Sequence, residues 1–427
     1  MIWLSASNPE NGLPPDDIRE KLFSVLPKMG PFKRVLIIPP DYTRVHSMAG
    51  SITEMLWEFY GNKTGAILPA LGTHEPMKPE EIRKMFGKVP SSLFHVHNWR
   101  TDTVTLGRIP ESQVEEISHG AVHYSWPVQV NKLLVEGNFD AIFSVGQVVP
   151  HEVAGMAGYN KNLFVGTGGA EAIHKSHFLG AAYGMERIMG RASNPVRELF
   201  RQAGIKYAGH LPVIYIQTVV GGKPNDPYPL KGLFVGDDQG CFLEASELAL
   251  RVNFTMLNEP LSHVVVYLRP DEYRTTWLGN KSIYRTRMAL ADGGKLIVIA
   301  PGVARFGEDL GMDALIRKYG YRPSAEILPL AFSEKDLQDN LGVAAHLIHG
   351  SSENRFRIVY CTEHLGEKKI TGVGYDYMSL QDAFDLYRPE SCNDGWNVLP
   401  DGERFYYISN PGLGLWSVRD RFEKREE

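Results

Sequence analysis

Arg34-Val-Leu-Ile-Ile-Pro-Pro40, followed at once by Asp41-Tyr-Thr-Arg-Val-His-Ser47, is the stretch on which the fold turns. Four consecutive apolar residues closed by two prolines read as a short strand buried on both faces, the habit of strands inside a parallel sheet. Beyond the polar loop, Ile52-Thr-Glu-Met-Leu-Trp-Glu-Phe-Tyr60 has helical spacing, and Gly65-Ala-Ile-Leu68 starts a second strand. Strand, polar loop, helix, strand is the grammar of α/β proteins, whose ligands gather where the strands' carboxyl ends deliver their loops.

Outward from this unit the pattern continues. A charged helix is expected over 79–85, a short strand at Leu93-Phe-His-Val96, a helix over 128–136 and a strand from Phe139 into Gly146. Strands at Leu211–Gln217 and Leu233–Gly236 precede one continuous amphipathic helix over 241–256, the candidate hinge. A second α/β set follows, with strands at His263–Leu268, Lys295–Ala300 and Phe356–Cys361 and a helix over 281–291. The fold class is therefore α/β, as two α/β domains around an active-site cleft. The larger, N-terminal domain takes residues 1–255, with 396–427 returning to it or to the hinge, and the smaller, C-terminal one takes 262–395. The charged run from Arg419 reads as a solvated end.

Length and composition agree with two cores. The chain has 427 residues, more than the roughly 250–300 at which single cores stop growing. With 43% hydrophobic and 22% charged residues it is no disordered or fibrous chain. Forty-five Lys and Arg against fifty Asp and Glu, a net charge of −5, give no electrostatic footprint for nucleic acid. Three scattered cysteines, Cys241, Cys361 and Cys392, suggest neither a disulfide framework nor a zinc ribbon. No apolar run approaches a membrane span and the first residues carry no secretory pattern. A cytoplasmic protein with a small-molecule partner is expected.

Four strand-end loops hold the polar residues. In Asp41-Tyr-Thr43-Arg44, the arginine suits a carboxylate or phosphate, or the Asp–Arg pair simply pins the loop. His74 in Gly72-Thr-His74-Glu is a single loop histidine, a type more often structural than catalytic. Between His151 and Lys161 stand Gly155 and Gly158, so a ligand can approach the backbone closely, with Lys161 as an anion clamp, as a covalent handle if deprotonated, or as a solvated side chain. Gly166-Thr-Gly168-Gly169 opens a helix that puts His174 and His177 on one face; it fits neither a dinucleotide fingerprint nor a P-loop, though it suffices to cradle one phosphate. His95 and His97 share a strand face, an arrangement that is more often structural than metal-binding.

In their order, Asp41-x-Thr43-Arg44, Gly72-Thr-His74, His151 with Lys161 ten residues on and His177 sixteen further, the motifs resemble those of the nickel-pincer-nucleotide lactate racemase family of 2-hydroxyacid racemases and epimerases. Lys281, twelve residues ahead of Gly293-Gly294, is similar to the substrate-binding lysine of that family. The resemblance implies a cofactor, the nickel pyridinium-3,5-bisthiocarboxylate mononucleotide, attached covalently at Lys161, with His177 as the fourth ligand of a square-planar nickel. Soft sulfur donors suit such a metal. Asp41, Thr43 and Arg44 would line the cofactor and Arg44 and Lys281 would bind the substrate carboxylate. His74 and His151 would serve as alternate acid and base while hydride leaves C2 and returns on the other face. Cofactor-making enzymes are the implied partners.

Departures bear on the substrate. The family's DxTRPxP reads Val45-His46-Ser47 after Arg44, and its GxSGGxK reads Gly155-Met-Ala-Gly158-Tyr159-Asn160-Lys161. The glutamine that accompanies the substrate lysine falls at Leu278, beside Trp277. Losing that polar partner argues against plain lactate and for another 2-hydroxyacid, larger or a sugar acid, with His46 a candidate contact. Two alternatives are a sugar-acid oxidoreductase and a catalytically silent cofactor carrier or sensor on the same scaffold.

Overall fold

The computed structural model describes residues 1–221 and 226–423. It divides into two compact units, Met1–Leu179 with Met189–Asn253, and Gly180–Ile188 with Phe254–Glu427. The final residues of the charged tail, 424–427, lie outside the described residues.

In the first unit a six-stranded sheet is built from β1 (Ile2–Ser7), β2 (Val35–Ile38), β3 (Thr64–Ile67), β6 (Ala141–Gln147), β9 (Val213–Val220) and β10 (Leu230–Gly236), numbered in chain order with two small hairpins intervening. These hairpins are β4 (Thr103–Ile109) with β5 (Trp126–Asn131), and β7 (Pro150–His151) with β8 (Gly155–Met156). The sheet order is β1-β10-β9-β6-β2-β3. The last four strands run parallel, Val35 facing both Ala141 and Thr64, while β10 and β1 are antiparallel. Val35, Leu36, Ile37 and Ile38 are all fully buried, as the unbroken apolar run requires. Helices α1 (Pro15–Met29) and α2 (Ala49–Tyr60) contribute Ile18, Leu22, Leu26, Ile52 and Leu56 to the same core as Ile37 and Phe143.

The second unit holds another six-stranded sheet, β15-β14-β13-β12-β17-β16. Its strands are β12 (Leu261–Tyr267), β13 (Leu290–Ile299), β14 (Arg357–Cys361), β15 (Asp376–Met378), β16 (Gly395–Val398) and β17 (Arg404–Ile408). All are parallel except β16. A separate parallel pair joins β11 (Phe254–Leu257) to β18 (Leu415–Val418).

Several expectations are corrected. Residues 128–131 are strand rather than helix: Trp126, Val128 and Val130 alternate inward at 0% exposure, and the helical turn is confined to Lys132–Glu136, capped by Asn131, whose side chain accepts from the Leu133 amide at 2.9 Å. At Leu93 the chain makes a tight turn, Ser91–Leu93, and touches β3 through a single bridge, Ile67 to Phe94. The hinge helix runs from Gln239 to Asn253; the four residues after it are β11. The helix from Lys281 ends at Thr286, and β13 already begins at Leu290. Residues 396–423 do not return to the first unit: β17 fills the position beside β12 in the second, while β18 pairs with β11, directly after the hinge helix.

Candidate active site

Strands β6, β2 and β3 are neighbours, so the loops leaving their carboxyl ends are neighbours too. The loop after β2 carries Asp41, Thr43 and Arg44; that after β3 carries His74; that after β6 carries His151. Asp41 is buried and holds the first two loops together. Its Oδ1 accepts from the Thr43 hydroxyl at 2.5 Å, and its Oδ2 meets His74 Nδ1 at 2.6 Å. Burial pushes the Asp41 carboxyl upward, but the His74 imidazole, the Thr43 hydroxyl and the Arg44 guanidinium outweigh it and leave it below the usual carboxylate range. A charged acceptor at Nδ1 fixes the His74 proton there and turns the Nε2 lone pair outward. Arg44 Nη1 donates to Gln147 Oε1 at 3.2 Å, tying the loop to the end of β6. His46 lies on the same turn and is partly buried.

The third loop is held by a residue that the sequence did not single out. Arg197, buried on the helix Pro195–Ala203, donates to the carbonyl oxygens of Ala154 and Gly158 at 3.2 Å, to Asn160 Oδ1 at 2.9 Å, and to the Met156 carbonyl. Its guanidinium lies 4.3 Å from the Phe242 ring centre, and burial lowers its pKa to about 9. Within the loop Gly158 has φ +83°, and a Cβ there would meet Gln217 Oε1 at 2.4 Å. Tyr159 follows at φ +53°, a left-handed conformation that disfavours a side chain by about 1–2 kcal/mol. It is held by its amide, which donates to Gln217 Oε1 at 2.9 Å, and by ring contacts with Tyr215 and Phe242 at 4.2 and 5.4 Å.

Lys161 begins the turn Asn162–Gly166 and is partly buried. Desolvation of its ammonium, then the Arg44 and Arg197 charges, bring its pKa down to about 7 against the opposing pull of Glu152 and Asp41. His177, on the helix Ala170–Tyr183, donates from Nδ1 to the Ile173 carbonyl at 2.7 Å, which again fixes one tautomer with Nε2 unprotonated. Burial first, and the Lys161 charge second, lower its pKa to about 4. The structure thus brings Thr43 and His74 into direct contact through the Asp41 carboxylate, with the Arg44 amide on the Asp41 carbonyl at 3.1 Å, and Lys161 into the field of both Arg44 and His177. His151 Nδ1 accepts from the amides of Val153 and Ala154 at 3.1 and 3.4 Å, and its Nε2 lies 3.7 Å from Glu152 Oε1.

The other histidines divide cleanly. His174 packs against Trp99, the ring centres 5.6 Å apart and the planes tilted by 55°. His97 is buried between Asn131 Nδ2 and the Gly168 carbonyl, at 2.9 and 3.0 Å, and serves the scaffold; His95 is exposed. The glycine loop is packed against the chain's own atoms: a Cβ at Gly168 would meet the Phe164 carbonyl at 2.1 Å, and one at Gly169 the Gln129 side chain at 2.5 Å. The amides of Ala170 and Ala172 donate to the Trp99 carbonyl and to Gln129 Oε1, so these first-turn donors are already taken and the expected phosphate cradle is not formed by them.

In the second unit Trp277 and Leu278 lie on the short helix Thr276–Gly279 and Lys281 opens the next one. The Trp277 ring packs on His346 at 4.3 Å, Leu278 donates its amide to Thr275 Oγ1 at 3.3 Å, and the Lys281 ammonium sits 5.9 Å from the Tyr273 ring centre. Glu152, Arg197, Gln147 and Gln217 are the polar residues that the sequence reading missed. Only Glu152 had a signal, its place beside His151 in a strand-end loop.

A two-unit α/β protein with a buried aspartate paired to a partly exposed histidine, a desolvated lysine and a histidine of fixed tautomer defines a class of small-molecule enzyme scaffold, and comparison with known proteins narrows it. Residues 21–187 match the lactate racemase N-terminal domain. A protein from Thermotoga maritima of known crystal structure superposes with a TM-score of 0.82 at 25% identity, covering 97% of this chain and 100% of that one. The lactate racemase apoprotein from Thermoanaerobacterium thermosaccharolyticum superposes with a TM-score of 0.68 at 17% identity, covering 95% and 90%. None of the curated proteins compared matches the chain. Residues 21–187 are thus similar to a lactate racemase N-terminal domain, and the whole chain shares the fold of the lactate racemase apoprotein. No helix among the described residues is long and apolar enough to cross a membrane.

Proposed function

We propose that the protein is a nickel-dependent racemase or epimerase that inverts C2 of a 2-hydroxycarboxylic acid other than plain lactate. The observation that carries this reading is the conjunction of Lys161, whose pKa burial has brought to about 7, with His177, whose Nδ1 proton is spent on the Ile173 carbonyl and whose Nε2 lone pair is left for a metal. Among the described residues no three His, Cys, Asp or Glu side chains cluster around a metal position, so His177 would need donors brought by a cofactor. The residues fit such a group. Lys161 supplies an amine at neutral pH, and buried Gln147 Nε2 and Gln217 Nε2 have no hydrogen-bond partner among the described residues. A bound polar ligand would satisfy such buried donors. A nickel-pincer nucleotide held by Lys161 and His177 would supply the hydride acceptor that a weakly acidic C2–H requires.

The chain's own residues do the rest. Arg44 and Lys281 bind the substrate carboxylate, the first as a planar fork. His74 Nε2 takes the hydroxyl proton, and Asp41 stabilises the imidazolium through Nδ1, as a buried carboxylate does for a general base. His151 attends the hydroxyl in the opposite antipode. Leu278 and Trp277 favour a substrate side chain unlike that of lactate. The protein is expected to work in the cytoplasm, on a small molecule, with cofactor delivered by the enzymes that make it. The test is intact mass and nickel content of protein co-produced with those enzymes, beside Lys161→Ala. A covalent adduct with stoichiometric nickel, lost in the variant, is expected; loaded conditions that give neither would overturn the reading.

A further inference from the structure

Strand β3 is an edge of the first sheet, and sheet edges are commonly covered by helix or loop rather than left open. Here the cover is incomplete. The Ser91–Leu93 turn brings Phe94 beside Ile67 as a single bridge, and the His95 amide donates to the Ile67 carbonyl at 2.8 Å. Helix α3 (Pro79–Phe86), opened by a proline in its first turn, stands on the other side. Between the helix, the 91–96 segment and the loop after β3 lies a cavity of about 510 Å³. Small-ligand sites usually fall at roughly 300–1,000 Å³.

The lining has a definite chemistry. Its walls are apolar, with Leu71 and Met77 from the loop, Ile82 from the helix, and Val89 and Phe94 from the chain after it. Its polar side chains are Arg83, His95 and Ser91, and no Asp or Glu lines it. Arg83 is exposed and makes no ion pair among the described residues. An apolar chamber with a guanidinium and no carboxylate on its lining is complementary to a molecule with an apolar body and an anionic head. Burial of the body supplies affinity, and the charge selects the head. We propose that this cavity binds a small amphipathic monocarboxylate with an aryl or short alkyl body, at a site separate from the carboxylate position assigned to Arg44. The cavity shares its wall with a catalytic candidate. Leu71 and Met77 stand three residues to either side of His74, whose amide donates to the Leu71 carbonyl at 2.9 Å, so a body packed on both stiffens the turn that carries His74.

The test uses cofactor-free protein, so it stands or falls apart from the racemase reading. The probe is 4-phenylbutyrate, with 4-phenylbutanol as its uncharged counterpart, titrated by calorimetry and followed by hydrogen exchange. Saturable millimolar or tighter binding of the acid is expected, weaker binding of the alcohol, and amide protection confined to residues 69–96. Arg83→Gln with Val96→Glu removes the guanidinium and sets a carboxylate on the lining; both positions are exposed, Val96 at 58%, and thermal unfolding confirms that the fold is kept. The double variant should bind the acid about tenfold more weakly and the alcohol as before, and Val96→Lys alone should bind the acid about threefold more tightly. Arg44→Gln should bind both as the wild type does. Absence of saturable binding, equal binding of acid and alcohol, or wild-type affinity for the acid in the double variant overturns the proposal. So does loss of binding in Arg44→Gln with protection over 147–177, which puts the anion in the candidate active site instead.

Discussion

His74 and His177 of the first unit are held differently from His263 and His346 of the second. In the first unit His74 and His177 each spend one ring nitrogen on the protein, at 2.6 and 2.7 Å, and among the described residues the other nitrogen is given no protein partner. Two histidines of the second unit, like His97 in the first, have both nitrogens spent. His263 lies between Glu403 at 2.8 Å and the Tyr387 hydroxyl at 3.0 Å, and His346 between the hydroxyls of Tyr284 and Tyr321 at 2.8 and 3.0 Å. A doubly engaged imidazole has no lone pair for a metal and no place for a proton; it is a polar strut. A singly engaged one has a defined tautomer and a lone pair to use. Burial alone does not separate the two kinds, since His263 is buried and His177 sits in surroundings that depress its charge as well.

The sharpest way to break this contrast is to exchange the kinds. His177→Ala should lose nickel by at least tenfold, measured as metal per folded protein after loading. His263→Phe should keep that ratio and instead lower the urea midpoint by the equivalent of about 1–3 kcal/mol, because the Tyr387 hydroxyl is left buried without its partner. Next in size, Asp41→Asn should keep nickel and cut kcat by about 100-fold or more, since an amide no longer fixes the His74 proton on Nδ1 or stabilises the imidazolium.

A smaller effect concerns acid. His174 and His177 have pKa values near 4, both lowered chiefly by burial, against about 6.5 in an unfolded chain. Between those values the unfolded chain binds more protons, so the stability of cofactor-free protein should fall as pH drops from about 6.5 toward 4 and be fully present above that window. Urea midpoints across the range should show the slope, and His174→Gln should flatten it. The smallest effect is at Tyr159. Because its φ is +53°, Tyr159→Gly should be more stable than Tyr159→Ala by about 1 kcal/mol, the reverse of the order in ordinary helix or strand; thermal unfolding of the two variants compares them directly.

Much of this molecule is legible in the sequence where local pattern and tertiary role coincide. The run Val35–Ile38 has one reading, and it is buried throughout. Three polar strand-end loops were legible as neighbours once the sheet was taken as parallel. What was not legible depends on long separations. Trp126-Pro-Val-Gln-Val-Asn131 looked continuous with the helical turn after it, and only its partner strand Thr103–Ile109 separates the two. Arg197 lies 39 positions from the Gly158 carbonyl that it holds, and Tyr159 is 58 from Gln217. The boundary of the hinge helix was missed for the same reason: residues 254–257 are strand because Leu415–Val418 lies beside them. The roles of Trp277, Leu278 and Lys281 remain with the proposal and its tests.

The excursion of Gly180–Ile188 into the second unit bears on how the chain is made. Glu186 on that segment pairs with Arg287 at 2.9 Å and Arg355 at 2.8 Å, residues that leave the ribosome long after it does. The first sheet likewise waits, because Ile2–Ser7 pairs with Leu230–Gly236. Neither unit is therefore finished when its earliest segment emerges, and β17, which flanks β12, comes from the last few dozen residues. Assembly of the whole is consequently late and collective rather than stepwise from the N-terminus, and a chain that stops at Asn253 would leave the Glu186 segment without the arginines that anchor it.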